Sequence, residues 1–171
     1  GKADGTTAIF AYAASTDPTA VLPSGYIDYF RIGSILRESA TIVPFDQQGD
    51  YFLRKTLTTI ISANNPGTSA VSRTLDVPTG IKVRADIIAS VRNAASRGVA
   101  YSLFTDLSAT DDTPSNALTD TPDAANTTAA VSTAPVNKIV TTNTSGQIRS
   151  RVSFSDANVT VRISVRGWYD N

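Results

Sequence analysis

The chain has 171 residues, 41% of them hydrophobic, and balances 15 basic against 15 acidic side chains. That is enough chain for one ordinary domain with a buried core, and zero net charge gives it no global field toward nucleic acid or an anionic membrane. With neither cysteine nor histidine, disulfides, thiolate and imidazole metal sites, and serine–histidine or cysteine–histidine nucleophiles are all excluded.

No apolar run approaches the roughly 20 residues of a transmembrane helix. The N-terminal "GKADGTTAIFAYAASTD" lacks the charged-then-apolar layout of a secretion signal. Glu38 is the only glutamate; the other acids are aspartates, which favour caps and turns over helix interiors. With abundant Thr, Val, Ile and Ser, the composition predicts strands and loops.

In chain order, "TAIFAYAAS" (7–15) reads as a strand, and the proline-bearing stretch 16–25 as an irregular connection. "YIDYFRIGS" (26–34) reads as a strand, with Gly33 a bulge or a close backbone approach. Tyr26, Asp28, Phe30 and Ile32 would share one face, and Ile27, Tyr29 and Arg31 the other. Both faces are substantially apolar, which predicts burial on both sides, inside a sandwich or against another subunit. A loop that stacks its aromatic rings on sugars is the other reading.

"TIVPFDQQGDYFLRKTLTTII" predicts two strands about a turn, with Gly49 at the position of unusual dihedrals. "RADIIASVRNAASRG" fits a helical spacing of Ile87, Ile88 and Val91, but its β-branched content favours strand. "GVAYSLFTD" (98–106) is a further strand.

Residues 105–135 hold five aspartates and no lysine or arginine among Ala, Thr, Ser, Asn and Pro. This is loop composition, and so long a loop in a compact domain is usually functional or mobile. Asp106, Asp111, Asp112, Asp120 and Asp123 could offer oxygens to Ca²⁺. Their spacing departs from the EF-hand pattern, so a solvated acidic loop is the preferred reading. Nothing in the spacing holds two carboxylates at the separation that glycoside hydrolysis needs. No metal, cofactor or catalytic residue is therefore expected.

At the C-terminus, "IRSRVSF" (148–154) and "VTVRISVR" (159–166) alternate strictly about "SDAN", which predicts a half-buried antiparallel hairpin. Arg149, Arg151, Arg162 and Arg166 would share its polar face. They read either as an anion-binding strip or, preferably, as a solvated face or as Arg–Asp pairs across a subunit interface. Many short strands with frequent turn signals predict an all-β fold, an antiparallel, jelly-roll-like β-sandwich over 1–171.

Two stretches carry a more particular signal: Leu22, Pro23, Gly25, Tyr26, Tyr29, Arg31, Ile32, Gly33 and Ser34, then Pro44, Phe45, Gln47, Gly49, Asp50 and Phe52. Together they resemble a β-sandwich domain of tailed-bacteriophage virion proteins, of the tail-fibre and appendage type. Phe30 stands where that pattern often has a further arginine. The resemblance spans roughly residues 3–55. It implies a structural virion protein, the C-terminal part of a longer fibre chain, assembled as a homotrimer with other virion proteins in the bacterial cytoplasm. Its motif residues read as scaffold or interface.

The receptor contacts that the resemblance implies would lie on loops. Residues 105–135 are the first candidate, with Asp111, Asp112, Asn116, Asp120, Asp123 and Asn126 facing a host surface polysaccharide. A capsid decoration or head-fibre protein is the alternative, and a polysaccharide depolymerase a more distant one. Nucleic acid and membrane are not expected partners.

Overall fold

The computed structural model describes residues 2–10, 22–28, 30, 32–94, 99–121, 124–125 and 132–170. Among these residues there are thirteen strands and no helix. The first six are β1 (Arg37–Glu38), β2 (Thr41–Ile42), β3 (Phe45–Gln48), β4 (Tyr51–Arg54), β5 (Thr59–Asn64) and β6 (Val71–Thr74). Then come β7 (Val83–Asn93), β8 (Val99–Ala100), β9 (Ser102–Thr105), β10 (Ala124–Ala125), β11 (Ser132–Thr141), β12 (Gln147–Val152) and β13 (Val159–Asp170).

Two antiparallel sheets pack together as a sandwich. The larger runs β11-β7-β13-β4-β3, with β5 also paired to β13; the smaller runs β6-β12-β9. Strands β1–β2 and β8–β10 form minor pairs. Alternation sets the inner faces. Val83, Ala85, Ile87, Ala89 and Val91 of β7 lie beside Val159, Val161, Ile163 and Val165 of β13, all buried. Ile148 and Val152 of β12 and Phe104 of β9 complete the core. Each valine, isoleucine or phenylalanine among them gains about 1.5–3 kcal/mol by leaving water. Val83–Asn93 is thus a strand, as its β-branched content favours.

Between Val165 and Gly167 the β13 register shifts against β7: Val165 faces Ile87, and Gly167 already faces Asp86. Arg166 is the extra residue of a bulge. The bulge reverses the phase of the strand, so that Trp168 points into the core and is fully buried. There it stacks on Phe52, with ring centroids 5.6 Å apart and planes 5° from parallel. Phe45 packs on both rings.

Gly33 lies flush against the Phe52 ring, where a Cβ would collide. The Trp168 indole N–H donates to the Ser34 carbonyl at 3.3 Å. The expected close approach at Gly33 is therefore real. So is the turn at Gly49, where φ is +63° in the two-residue connection from β3 to β4.

Four expectations change. No strand forms at 7–10 or among the described residues of 26–34. Nor is that second segment buried on both faces: Ile27, Phe30 and Ile32 are 72%, 88% and 62% exposed. Alternating apolar residues need a paired neighbour to become a strand, and here only Tyr26 bridges, to Lys2. Tyr29 and Arg31 lie outside the described residues.

The long loop is shorter than its composition suggests, because β11 begins at Ser132 and takes in Pro135. That strand is an edge, where proline is tolerated. Finally, the C-terminal strands form no hairpin. β12 pairs with β6 and β9, whereas β13 pairs with β7, β4 and β5. "SDAN" instead carries the chain from one sheet to the other.

Gly167 sets up a direct test. A Cβ there would run into the Phe52 carbonyl oxygen and the Tyr51 ring, and a backbone atom in a paired strand yields little. Gly167→Ala should destabilise the fold by about 1–3 kcal/mol, read as a lower midpoint in chemical denaturation. Gly5→Ala meets nothing within 4 Å and carries only the backbone strain of its φ of +84°, so it should cost less.

Candidate functional site

The outer face of the smaller sheet presents Leu103 and Thr105 from β9 beside Arg151 and Arg149 from β12, in direct register. Residues 106–121 fold over this face. Asp106 starts the loop: its carboxylate accepts the Ser108 amide at 2.7 Å and the Ala109 amide at 3.0 Å. Bonds from the Ser108 hydroxyl and then its amide hold the Asp106 carboxyl below its ordinary range. Ser115 and Leu118 close a tight turn by exchanging backbone bonds of 2.9 and 3.1 Å.

The two arginines clamp the loop from beneath. Arg149 donates to the carbonyls of Ala109 (2.6 Å) and Leu107 (3.1 Å). Arg151 donates to the Thr68 carbonyl at 2.9 Å and pairs with the Asp111 carboxylate at 3.1 Å. At the far rim Lys138 of β11 grips both oxygens of Asp120, at 2.7 and 2.8 Å. Asp120 also accepts the Phe104 amide at 2.7 Å. Charge-assisted bonds of this kind are the stronger ones.

Between loop and sheet is a cleft of about 250 Å³. It is lined by Asp111, Asp112, Asp120, Lys138, Arg149 and Arg151, with Leu103, Leu118 and threonines 105, 110 and 119. Three carboxylates meet three cations, so the cleft is charge-balanced. Asp112 is exposed, and its carboxylate has no partner among the described residues. Arg149 meets only carbonyls. Both can therefore engage a ligand without first breaking an ion pair. The site offers donors, acceptors and two apolar side chains within one small concavity.

The structure thus joins two groups that the sequence kept apart. Asp111, Asp112 and Asp120 from the loop meet Arg149 and Arg151 from the supposed strip. Asn116 sits at the tip of the tight turn, outside the cleft lining. Asp123 and Asn126 lie outside the described residues. Among the described residues no cluster of three acids could hold a metal ion.

The four-arginine strip does not exist, because β12 and β13 belong to different sheets. Arg162 is exposed on the larger sheet. Arg166 pairs with the buried Asp86 at 2.8 Å. Arg151 and Arg166 do pair with aspartates, but within the chain and not across a subunit interface. Lys138 was missed, although as the first cation after a long cation-free stretch it was visible in the sequence.

A second polar cluster surrounds Asp86 on the larger sheet. The Tyr51 hydroxyl donates to its Oδ2 at 2.8 Å and Arg166 to its Oδ1 at 2.8 Å. Tyr51 stacks on Tyr169, centroids 4.5 Å apart. Arg84 sits over the Tyr169 ring. Desolvation, then the Asp86 carboxylate, push the Tyr51 hydroxyl up to about 12. The Tyr51 hydroxyl and both Asp86 oxygens are engaged, while Arg166 Nε is buried without a hydrogen-bond partner, and the cluster reads as a structural tie.

Tyr26, the remaining motif aromatic, is half-buried. Its ring meets Phe10 edge-on at 4.9 Å and lies under the Lys2 ammonium. Searches against protein-family models and curated proteins find no match to this chain.

Two outcomes follow from these contacts. Arg149→Ala removes the donors of two loop carbonyls, and bonds to charged groups are worth about 1.5–3 kcal/mol each at most. Amide exchange across 106–121 should quicken at least roughly tenfold, with a smaller loss of global stability. Arg149→Lys should restore only part of the protection, because an ammonium lacks the planar fork.

The second outcome concerns alkaline pH. The fold favours neutral Tyr51, so its contribution is complete below pH 10, the ordinary tyrosine value, and is lost as pH rises through about 12. Tyrosinate absorbance should show one late-titrating ring that Tyr51→Phe removes. The same variant should flatten the loss of stability above pH 10.

Proposed function

We propose that this chain is a structural virion protein of a tailed bacteriophage, an attachment domain whose cleft over β9 and β12 meets saccharide groups of the host cell surface. The observation that carries the reading is the charge-balanced cleft, clamped onto a rigid sheet by two arginines. Carboxylates, guanidinium groups and threonine hydroxyls match the mixed donor and acceptor pattern of sugar hydroxyls, and Leu103 and Leu118 suit the C–H face of a ring. A preorganised loop loses little entropy on binding. The resemblance of residues 22–52 to virion sandwich domains supplies the setting.

Binding is favoured over hydrolysis. Asp111 and Asp120 are each tied to a cation, which leaves Asp112 as the one unengaged carboxylate in the cleft. Glycoside hydrolysis ordinarily needs two carboxyl groups. A decoration role on the capsid is the second reading, favoured by the exposed apolar side chains of residues 27–35, which suit contact with other virion proteins.

The test is direct. The purified chain is presented with immobilised bacterial lipopolysaccharides and capsular polysaccharides, and with the cells that bear them. Wild type should retain at least one of these. Asp112→Ala should weaken that binding about tenfold or more with an unchanged melting temperature, because the side chain holds nothing in the fold. No retention by any polysaccharide or cell would overturn the attachment role.

A further inference from the structure

In the N-terminal arm that precedes β3, apolar side chains such as Phe30 and Ile32 are exposed. The outer face of the larger sheet exposes cations instead. Val91 and Val161 are buried, so alternation turns Arg92 of β7 and Arg162 of β13 outward. Arg162 is exposed and Arg92 half-buried. Thr160 faces Arg92, and Ser90 faces Arg162. The two arginines are therefore diagonal neighbours, about 7–8 Å apart at the backbone, and their long side chains can reach one point above the sheet. Ser62 of β5 faces Arg162 from the other side, which puts a serine on each flank.

Neither guanidinium has a hydrogen bond or ion pair among the described residues, and neither serine hydroxyl is engaged there. Every other described cation on the strands of this sheet is occupied: Lys138 by Asp120, Arg166 by Asp86, Arg54 by Glu38, and Arg84 over the Tyr169 ring. The carboxylates of the sheet offer the pair no relief. Asp46 is tied to Lys55 and Asp86 to Arg166, and Asp170 is at the opposite end of β13. Like charges set side by side on a sheet oppose folding. A pair that costs stability without aiding the packing points to an outside anion.

We infer that Arg92 and Arg162, with Ser62 and Ser90, bind the phosphate group of a sugar phosphate. A phosphate monoester carries about −1.5 to −2 charges near neutral pH and three acceptor oxygens, which matches two unpaired cations and two hydroxyls. A carboxylate has two oxygens, enough for a single guanidinium fork. A sugar is the carrier because the neighbouring row presents Asn64 and Thr133, both exposed, to either side of Thr160 and Arg92. Their amide and hydroxyl suit sugar hydroxyls that a bare ion lacks. This inference does not rest on the attachment reading, because the cleft lies on the other sheet and shares no residue with this site.

Heteronuclear NMR of the whole chain tests it, with glucose-6-phosphate as the probe at constant ionic strength. The Nε–H signals of Arg92 and Arg162 should move together and saturate, with a dissociation constant of about 1 mM or tighter. Arg92→Gln/Arg162→Gln should weaken binding at least roughly tenfold. Lys55→Gln, which removes a cation elsewhere, should bind as wild type. Glucuronate, which carries a carboxylate in place of the phosphate, should bind at least roughly tenfold more weakly, and inorganic phosphate more weakly than the sugar phosphate. Signals that drift without saturating, or that respond equally to chloride, would overturn the inference. Equal affinity for glucuronate would overturn the phosphate assignment, and equal affinity for inorganic phosphate the sugar.

Thermal unfolding gives a second readout should the NMR of a variant be hard to assign. The double variant without ligand should melt no lower than wild type, since it relieves a repulsion. Glucose-6-phosphate should raise the midpoint of wild type and leave that of the double variant in place. A ligand-free double variant that melts lower would show that the two arginines serve the fold. Equal stabilisation of both chains by the ligand would place its site elsewhere. Either result would overturn the inference.

Discussion

Between Val165 and Gly167, β13 takes one residue more than β7, and the packing of the whole sandwich depends on that extra residue. Before it, Val159, Val161, Ile163 and Val165 point inward. Unbroken alternation would then turn Gly167 inward and Trp168 to solvent. The bulge inverts the phase, so the largest side chain of the protein fills the core and stacks on Phe52. Gly167 makes this possible because nothing larger fits against the Phe52 carbonyl. Arg166, outward by alternation after Val165, closes the ion pair with Asp86.

From the Trp168–Phe52 stack two consequences spread. Toward the N-terminus, the stack gives Gly33 and Ser34 a flat surface to rest on, which fixes the base of the exposed arm. Toward the other sheet, the filled core holds β12 in the centre of β6-β12-β9. Its inward residues Ile148, Ser150 and Val152 are buried, which forces Arg149 and Arg151 outward by simple period-2 geometry. The loop over them is tied down from beneath: Arg149 holds the carbonyls of Leu107 and Ala109, and Arg151 and Lys138 hold the carboxylates of Asp111 and Asp120.

The molecule therefore has two surfaces of different chemistry. One is small, polar and concave, with its charges mutually cancelled and its backbone tied down. That suits an uncharged, hydroxyl-rich ligand, since binding need not overcome a strong local field. The other is extended and apolar, supported only at its base. That suits protein–protein contact, where the gain comes from removing hydrocarbon from water.

Much of this was legible in the residues themselves. Alternation in "IRSRVSF" and "VTVRISVR" identified the inward side chains. β-branched content made Val83–Asn93 a strand, and Gly33 and Gly49 marked a close approach and a turn. These properties are local, decided by side-chain period and backbone freedom within a few residues. Which sheet each strand joins is not local. Alternation says which face is buried and nothing about the neighbour, so the apparent C-terminal hairpin divided between two sheets and its four arginines parted. For the same reason "GYIDYFRIGS" looked like a buried strand: its apolar pattern was real, but among the described residues no strand pairs with it. The cleft was the work of tertiary structure alone, because only packing brings Asp111, Asp120, Lys138 and Arg149, distant in sequence, around one cavity.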